Sequence, residues 1–583
     1  MNPIRTRLLP LLATVALCAG AARAAAPAGP LPNPYLAQSY NTQTHWNDAA
    51  TDSVSIAVPR GAYEVTPESL QFIANESVGL PSVADTVRGQ EIHWWWSGFG
   101  LRKLKVENGK LVEIARTDVP VRLPNFTPVS PEVRREQAKA VQKFLDARDE
   151  EGLLDYMRAQ PNRMLSGSPD QAANGAVYAL LTRDDAFLGC SSRQIFRIDQ
   201  QDPADPASAM KPARTVTLPA ALFDNDKARR GVPRIPADLL FGMGMSYNGY
   251  VVVNTLGGKV VTLNRDTLEV IDVFSVPGRD ELFMNSFATG PEAGGGAVYV
   301  ASNTTMYRLV VDAGGKIRSD AASGAWAAPY DRGVIMPAPK LGDGTGSTPT
   351  LMGFGTDDDK LVVITDGARK MRLVAFWRDA IPAGWTQKSG TASPRVADQI
   401  EVDMGPAVPT VQSEQSVAAY GDQAFVVNNI PAKEEVFPGS DSSYYVNLIT
   451  GASRPGPAGA AAFKWDHRAH RWTAQWARAD VSAISVVPMI SGGSRMAIID
   501  GYFVDRWNER HHMERAPPHR HGPRYRQDGV QRACRQRPDL QRHVRAGEGR
   551  RRRAADVRHG LRPGASGHHE DEASGRLRRW TAR

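Results

Sequence analysis

Cysteine is nearly absent: Cys18, Cys190 and Cys534 are the three in 583 residues. No disulfide framework can be built from them, so stability must come from a large buried core. No segment approaches the roughly 18 consecutive apolar residues of a membrane-spanning helix, so no integral membrane segment is expected. The chain also lacks a G-x-S-x-G elbow, an H-E-x-x-H pair, a P-loop and a C-x-x-C-H haem attachment. Those absences exclude the commonest hydrolase, zinc-peptidase, nucleotide-binding and c-type haem chemistries. The glycines of GMGMSYNG (242–249) are not followed by a helical pattern, so they do not read as a dinucleotide loop. Lysine is missing from residues 514–583, which hold 19 arginines and eight acidic residues, a net of +11. The remaining 513 residues sum to −3, so the overall +8 is a property of the tail alone and the body gives no sign of a nucleic-acid partner.

What is present begins with a leader. Arg5 and Arg7 precede a short apolar stretch from Leu8 to Gly20, and Ala22-Arg23-Ala24 is an A-x-A cleavage pattern. Residues 1–24 are therefore expected to be a secretory signal peptide, and the mature protein to be periplasmic or secreted. Residues 25–79 read as an N-terminal extension, and 80–513 as the folded body.

The body is made of strand-like pieces. In GYVVVNTLGGKVVTLNRDTLEVIDVFSVP (249–277), β-branched runs are separated by Gly257-Gly258 and by Arg265-Asp266-Thr267. Such runs bounded by turn residues read as consecutive antiparallel strands. The plan recurs at 93–119, 175–202, 296–318, 358–379 and 422–431, at intervals of roughly 40–70 residues. Four-strand units repeating at such intervals point to an all-β fold, a β-propeller of roughly six to eight blades. A set of β-sandwiches would explain the strands but not their repeated order. One segment differs. Ser130 and Pro131 begin a helical pattern over 130–160, in which Val133, Ala140, Val141 and Phe144 share a face, and a helical insertion between blades is expected.

The segments MNSFATGPEAGGGAVYVASNTTMYRLV (284–310), WAAPYDRG (326–333), GSTPTLMG (346–353), LVVITDG (361–367) and SEQSVAAYGDQAFVVNN (413–429) resemble the quinoprotein-like (PQQ-like) β-propeller superfamily. AAFKWDHRAHRWTAQW (461–476) is similar to its blade signature, with Asp466 and His467 departing from the expected turn. The resemblance covers 235–513 well and 80–220 weakly, and narrows to an exported bacterial group of unassigned function. It implies a fold more than a chemistry. Quinone-dependent members commonly hold pyrroloquinoline quinone beside a vicinal cysteine pair, which this chain lacks, so that cofactor is not expected.

In a propeller, polar residues at the starts of innermost strands converge on one channel mouth. Asn285, Ser347, Thr348 and Glu414 each open a strand pattern, while Asp366 and Asn428 follow theirs. Glu414 and Asn285 are the pair suited to a hard cation such as Ca²⁺. Ser347, Thr348 and Asp366 are further candidates for binding at the mouth. The expected role is capture of a small molecule or partner there by a monomeric protein. A Ca²⁺-dependent lactonase or esterase is the first alternative and a quinoprotein oxidoreductase the second. Ordinary polar turns would account for the same residues. In His93-Trp94-Trp95-Trp96, alternate side chains face opposite ways, and packing between blades is the expected use of at least one face.

The arginine tail lacks apolar periodicity and has neither Phe nor Ile after residue 513. GC-rich codons read out of frame yield Arg, Ala, Gly, Pro and His. Back-translating Arg537 onward and dropping one base gives DPTFNGMYAQVKVDGDG and then QLMYGMAFGLVRLDTTKMK. These segments alternate and turn as the body does. Residues 514–583 are therefore read as a frameshifted, non-native and disordered tail replacing the closing blade, with the break near His511–Arg515.

Overall fold

The computed structural model describes residues 26–506, apart from internal stretches of which the longest are 62–70, 121–128, 161–177 and 431–448. The leader and the arginine tail lie outside the described residues.

Blade 3 shows how the sequence makes the unit. Its strands are Leu240–Met245, Tyr250–Thr255, Lys259–Asn264 and Val270–Ser275, each antiparallel to the next. In Tyr250–Thr255, Val251 and Val253 face blade 2, packing with Leu180, Leu188 and Ile195. Val252 faces blade 4, packing with Phe283, Phe287, Val298 and Val300. The period-2 alternation thus buries both faces of the sheet, and the cores lie between blades. Five further sheets repeat the plan, blades 1, 2, 4, 5 and 6, at 80–118, 179–217, 283–329, 350–401 and 418–483. A seventh sheet, blade 7, joins Met489–Ser491, Met496–Ile498 and the N-terminal strand Ser53–Val54. The fold is an all-β propeller of seven blades, within the expected range.

The tryptophan run sits at the seam of blades 1 and 2. Trp94 and Trp96 are buried, with Trp96 edge-on to Phe187 and Phe196 at ring separations of 5.8 and 5.1 Å. His93 lies on the other face, 2.6 Å from Glu91. Gly189 opposite has no room for a side chain, because a Cβ there would fall 2.6 Å from the Phe196 ring. Cys190 is a buried strand residue whose thiol burial pushes up to about 12, which leaves it unreactive.

The helical insertion stands between blades 1 and 2, as two helices rather than one. Pro131–Ala147 starts with Ser130 accepting from the Val133 N–H, and ends at Arg148 in the left-handed region (φ 55°). Asp149 caps the second, Glu150–Ala159. The apolar face is built by Leu145, Leu153, Leu154 and Met157 with Ile449, whereas Val133 is exposed.

The N-terminal extension belongs to the ring. Residues 33–54 form a strap that meets the inner strands of six blades in turn. Blade 2 exchanges main-chain bonds with it (Ala37 N to Leu181 O, Leu181 N to Thr42 O, Thr44 N to Ala179 O). Asn33 Nδ2 donates to Met245 O of blade 3. Then the N–H groups of Thr289, Leu351, Ala419 and Ile490, one each from blades 4 to 7, donate to the carbonyls of Asp48, Ala49, Thr51 and Asp52 at 2.8–2.9 Å. An extended strand cannot follow so tight a circle. The chain bends through left-handed backbone at His45, Trp46, Ala50 and Asp52 (φ 48–72°), unusual for residues that carry a Cβ. The strap ends as Ser53–Val54, parallel to Met489–Ser491.

Candidate functional site at the channel mouth

The strap carries His45 and Asp52 into contact with the starts of the inner strands. His45 Nδ1 lies 2.9 and 3.0 Å from the two carboxylate oxygens of Asp52. With that nitrogen protonated against the carboxylate, Nε2 is an acceptor, and it faces Thr348 Oγ1 at 3.1 Å and the Tyr178 hydroxyl at 3.5 Å. Tyr178 in turn donates to Asn285 Oδ1. Asp52 is 1% exposed, and burial pushes its carboxyl up against the opposing pull of His45. Burial also raises the Tyr178 phenol; the Thr348 hydrogen bond opposes this, and the charges of Asp52 and Glu414 add to it.

Asn285 and Glu414 come to the same place. The Asn285 amide donates to Gly346 O, and a Cβ on Gly346 would overlap the Glu414 carboxylate. Glu414 Oε1 accepts from the Leu341 N–H at 3.0 Å and lies 3.3 Å from Lys340 Nζ, so its charge is balanced by a fully buried ammonium. Among the described residues, no group of three or more His, Cys, Asp or Glu side chains is arranged to hold a metal ion.

Ser347 and Thr348 are both buried at this mouth. Ser347 Oγ pairs with Thr365 Oγ1 at 2.7 Å and donates to Gln415 O, and the Thr348 N–H donates to Ser416 Oγ. Asp366 is committed elsewhere. It sits in the turn after Leu361–Thr365, accepting from the Arg372 Nε at 2.6 Å and from the backbone of Ala368 and Arg372. Asn428 likewise ties Gln412 N to Ala458 O.

The composition of the mouth was only half legible in the sequence. Gln412, Asn429 and Asn254 are 0–2% exposed, yet Gln412 Oε1, Asn429 Nδ2 and Asn254 Oδ1 have no hydrogen-bond partner among the described residues. They belong to this cluster. Asn429 Oδ1 accepts from the Glu414 N–H, Asn429 N donates to Gln412 O, and Asn254 Nδ2 donates to Asn285 O. No sequence signal marked Gln412, Asn429, Tyr178 or the strap residues, because their roles depend on partners far away in the chain.

His467 and His470 staple blade 6 to blade 5. His470 Nδ1 lies 2.8 Å from Asp359 Oδ2, which also accepts from Trp465 Nε1, and His467 Nδ1 accepts from the Asp359 N–H.

With this geometry in hand, the chain can be set beside known proteins. No protein-family model matches it. An uncharacterised protein of Archaeoglobus fulgidus is 30% identical over 306 residues, 49% of this chain, which spans 56% of that relative's length. Solved propellers similar to it include a quinohemoprotein alcohol dehydrogenase, ADHIIG, of Pseudomonas putida HK5. That structure gives a TM-score of 0.41 at 11% identity, over 79% of this chain and 69% of the other. A europium-containing methanol dehydrogenase gives 0.39 at 10% identity, over 79% and 82%. A putative 6-phosphogluconolactonase of Bacteroides fragilis gives 0.35 at 9% identity, over 70% and 83%. The neighbours thus include quinoprotein-type propellers, the superfamily the sequence resembles. At these scores they say nothing of activity.

Proposed function

We propose that the protein is an exported propeller that captures a small polar molecule at the channel mouth beside Glu414, Asn285, Gln412 and Asn429. The observation that carries this reading is the set of three buried polar atoms without partners around these residues, two acceptors and one donor. Leaving such a group unpaired costs about 1–3 kcal/mol, a cost that a bound hydroxyl-bearing molecule removes. A hydroxyl both donates and accepts, as Gln412 Oε1 and Asn429 Nδ2 require. A cation is the poorer fit, because Lys340 already neutralises Glu414.

A thermal-shift screen of small polyols, hydroxy acids and their lactones is expected to find a ligand. Replacing both Gln412 and Asn429 by alanine is expected to weaken that ligand by roughly tenfold or more, measured where the variant is folded, and also to lower the melting temperature of the free protein, because Gln412 Nε2 donates to Gly367 O and Ala368 O and Asn429 Oδ1 accepts from the Glu414 N–H. A ligand whose affinity is untouched by the double substitution would place binding elsewhere and sink the reading. Export is checked by osmotic-shock fractionation with N-terminal sequencing. The mature chain should be released with the periplasmic fraction and start near Ala25, and a cytoplasmic pool or a lipid-modified Cys18 would contradict it.

A further inference from the structure

We infer that the middle of the strap, residues 45–51, is a releasable occupant of the channel whose seating is governed by the ionisation of Asp48, while Ser53–Val54 stays in blade 7. The inference stands apart from the ligand reading, since it concerns the chain's own segment and holds with or without a bound molecule.

Three observations support it. First, the middle of the strap is held to blades 4–6 by one main-chain bond from each blade's inner strand, a set that can open without disturbing those blades' own ladders while Ser53–Val54 stays paired in blade 7. Second, four residues that carry a Cβ hold left-handed backbone between positions 45 and 52. Such strain persists only where surroundings impose it, and it is relieved on release. Third, the strap buries a carboxyl with no cation against it among the described residues. Asp48 is 4% exposed and there receives only neutral side-chain donors, Asn33 Nδ2 at 3.1 Å and Thr289 Oγ1 at 3.3 Å. The titratable group facing it from the adjacent turn of blade 3 is Tyr247, beyond which lie Glu292 and Arg378. Asp52, the other buried carboxylate of the strap, differs in being paired with His45.

Burial raises the Asp48 carboxyl to about 7, with the hydrogen bonds from Asn33 and Thr289 opposing. The free strap would have an ordinary aspartate, near 3.9. The seated form therefore holds its proton more tightly than the released form. Seating is strongest below about pH 4, weakens as pH rises to about 7, and is level above that. Between pH 5 and pH 8 the opening equilibrium should rise on the order of fiftyfold.

Hydrogen exchange of the full chain reads this directly. The amides of Thr289, Leu351 and Ala419 donate to the middle of the strap, and Val252 and Thr262 in the middle of blade 3 serve as controls. Protection factors of the three strap-facing amides are expected to fall about fiftyfold from pH 5 to pH 8, with the controls unchanged. In Asp48→Asn the three should stay equally protected at both pH values. Constant protection in the parent chain, an undiminished fall in Asp48→Asn, or a parallel fall at the controls would each overturn the inference. Should Asp48→Asn not fold, Thr289→Val decides the matter. It removes a donor from the carboxylate, so the fall should extend to higher pH, and an unmoved upper limit would refute the mechanism.

Discussion

A chain with the reading frame restored beyond about residue 513 is expected to melt on the order of 10 °C higher than the chain as written. Blade 7 is the reason. Among the described residues it consists of Ser53–Val54, Met489–Ser491 and Met496–Ile498, and Met496–Ile498 ends the sheet. The other six blades each have four or five strands. The strand after it, Gly501–Phe503, pairs with the outer strand of blade 6 instead. An uncovered edge presents unpaired N–H and C=O groups and leaves the outer part of the neighbouring faces wet. The restored sequence TFNGMYAQVKVDGDGQLMYGMAFGLVRLD contains two alternating runs around a DGDG turn, the parts such an edge lacks. Each apolar side chain those runs bury contributes about 1.5–3 kcal/mol. The 19 arginines of the tail as written could not be buried there without partners. Sequencing the gene between the codons for Trp507 and Arg537 should reveal the missing or extra base. An intact frame, together with salt-sensitive DNA binding lost on deleting 514–583, would make the tail a true basic arm.

Deleting residues 26–58 from the mature chain is expected to abolish cooperative folding. Without Ser53–Val54, blade 7 is a two-stranded hairpin, which is marginal by itself. The inner strands of blades 4–7 lose their main-chain acceptors on the strap, and Leu36, Ala37, Ala49, Ala50 and Val54 lose their burial. Native stabilities are about 5–15 kcal/mol, so a loss spread over six blades is not absorbed. The deletion should yield aggregated protein or a broad, non-cooperative melt by circular dichroism. A synthetic peptide spanning 30–58, added during refolding, should restore part of the sharp transition. A soluble deletion variant with the parent's melting curve would show the strap to be an ornament rather than a clasp.

What the sequence determined by itself is everything written in short-range pattern. Alternating Val, Ile and Leu between glycine and aspartate turns set the strands of blade 3 to within a residue or two, since side-chain period and turn chemistry act over neighbours only. Ser130-Pro131 marked a helix start for the same reason, and alternation assigned at least one face of His93-Trp94-Trp95-Trp96 to packing, though only the structure shows it to be that of Trp94 and Trp96. Asn285, Ser347, Thr348 and Glu414 could be singled out because strand starts in a propeller converge. The break at Arg148 escaped detection, since its left-handed backbone is imposed by the packing of two helices and not by residue type. The strap escaped for a stronger reason. His45 meets Thr348 across 303 positions, and Thr289 meets Asp48 across 241. Residues 25–79 carry little periodicity because most of the strap's bonds to the blades' inner strands are main-chain bonds, which any side chain permits. Only once the ring has closed is there a channel for that segment to occupy, and only then do His45 and Asp52 meet Thr348 and Tyr178.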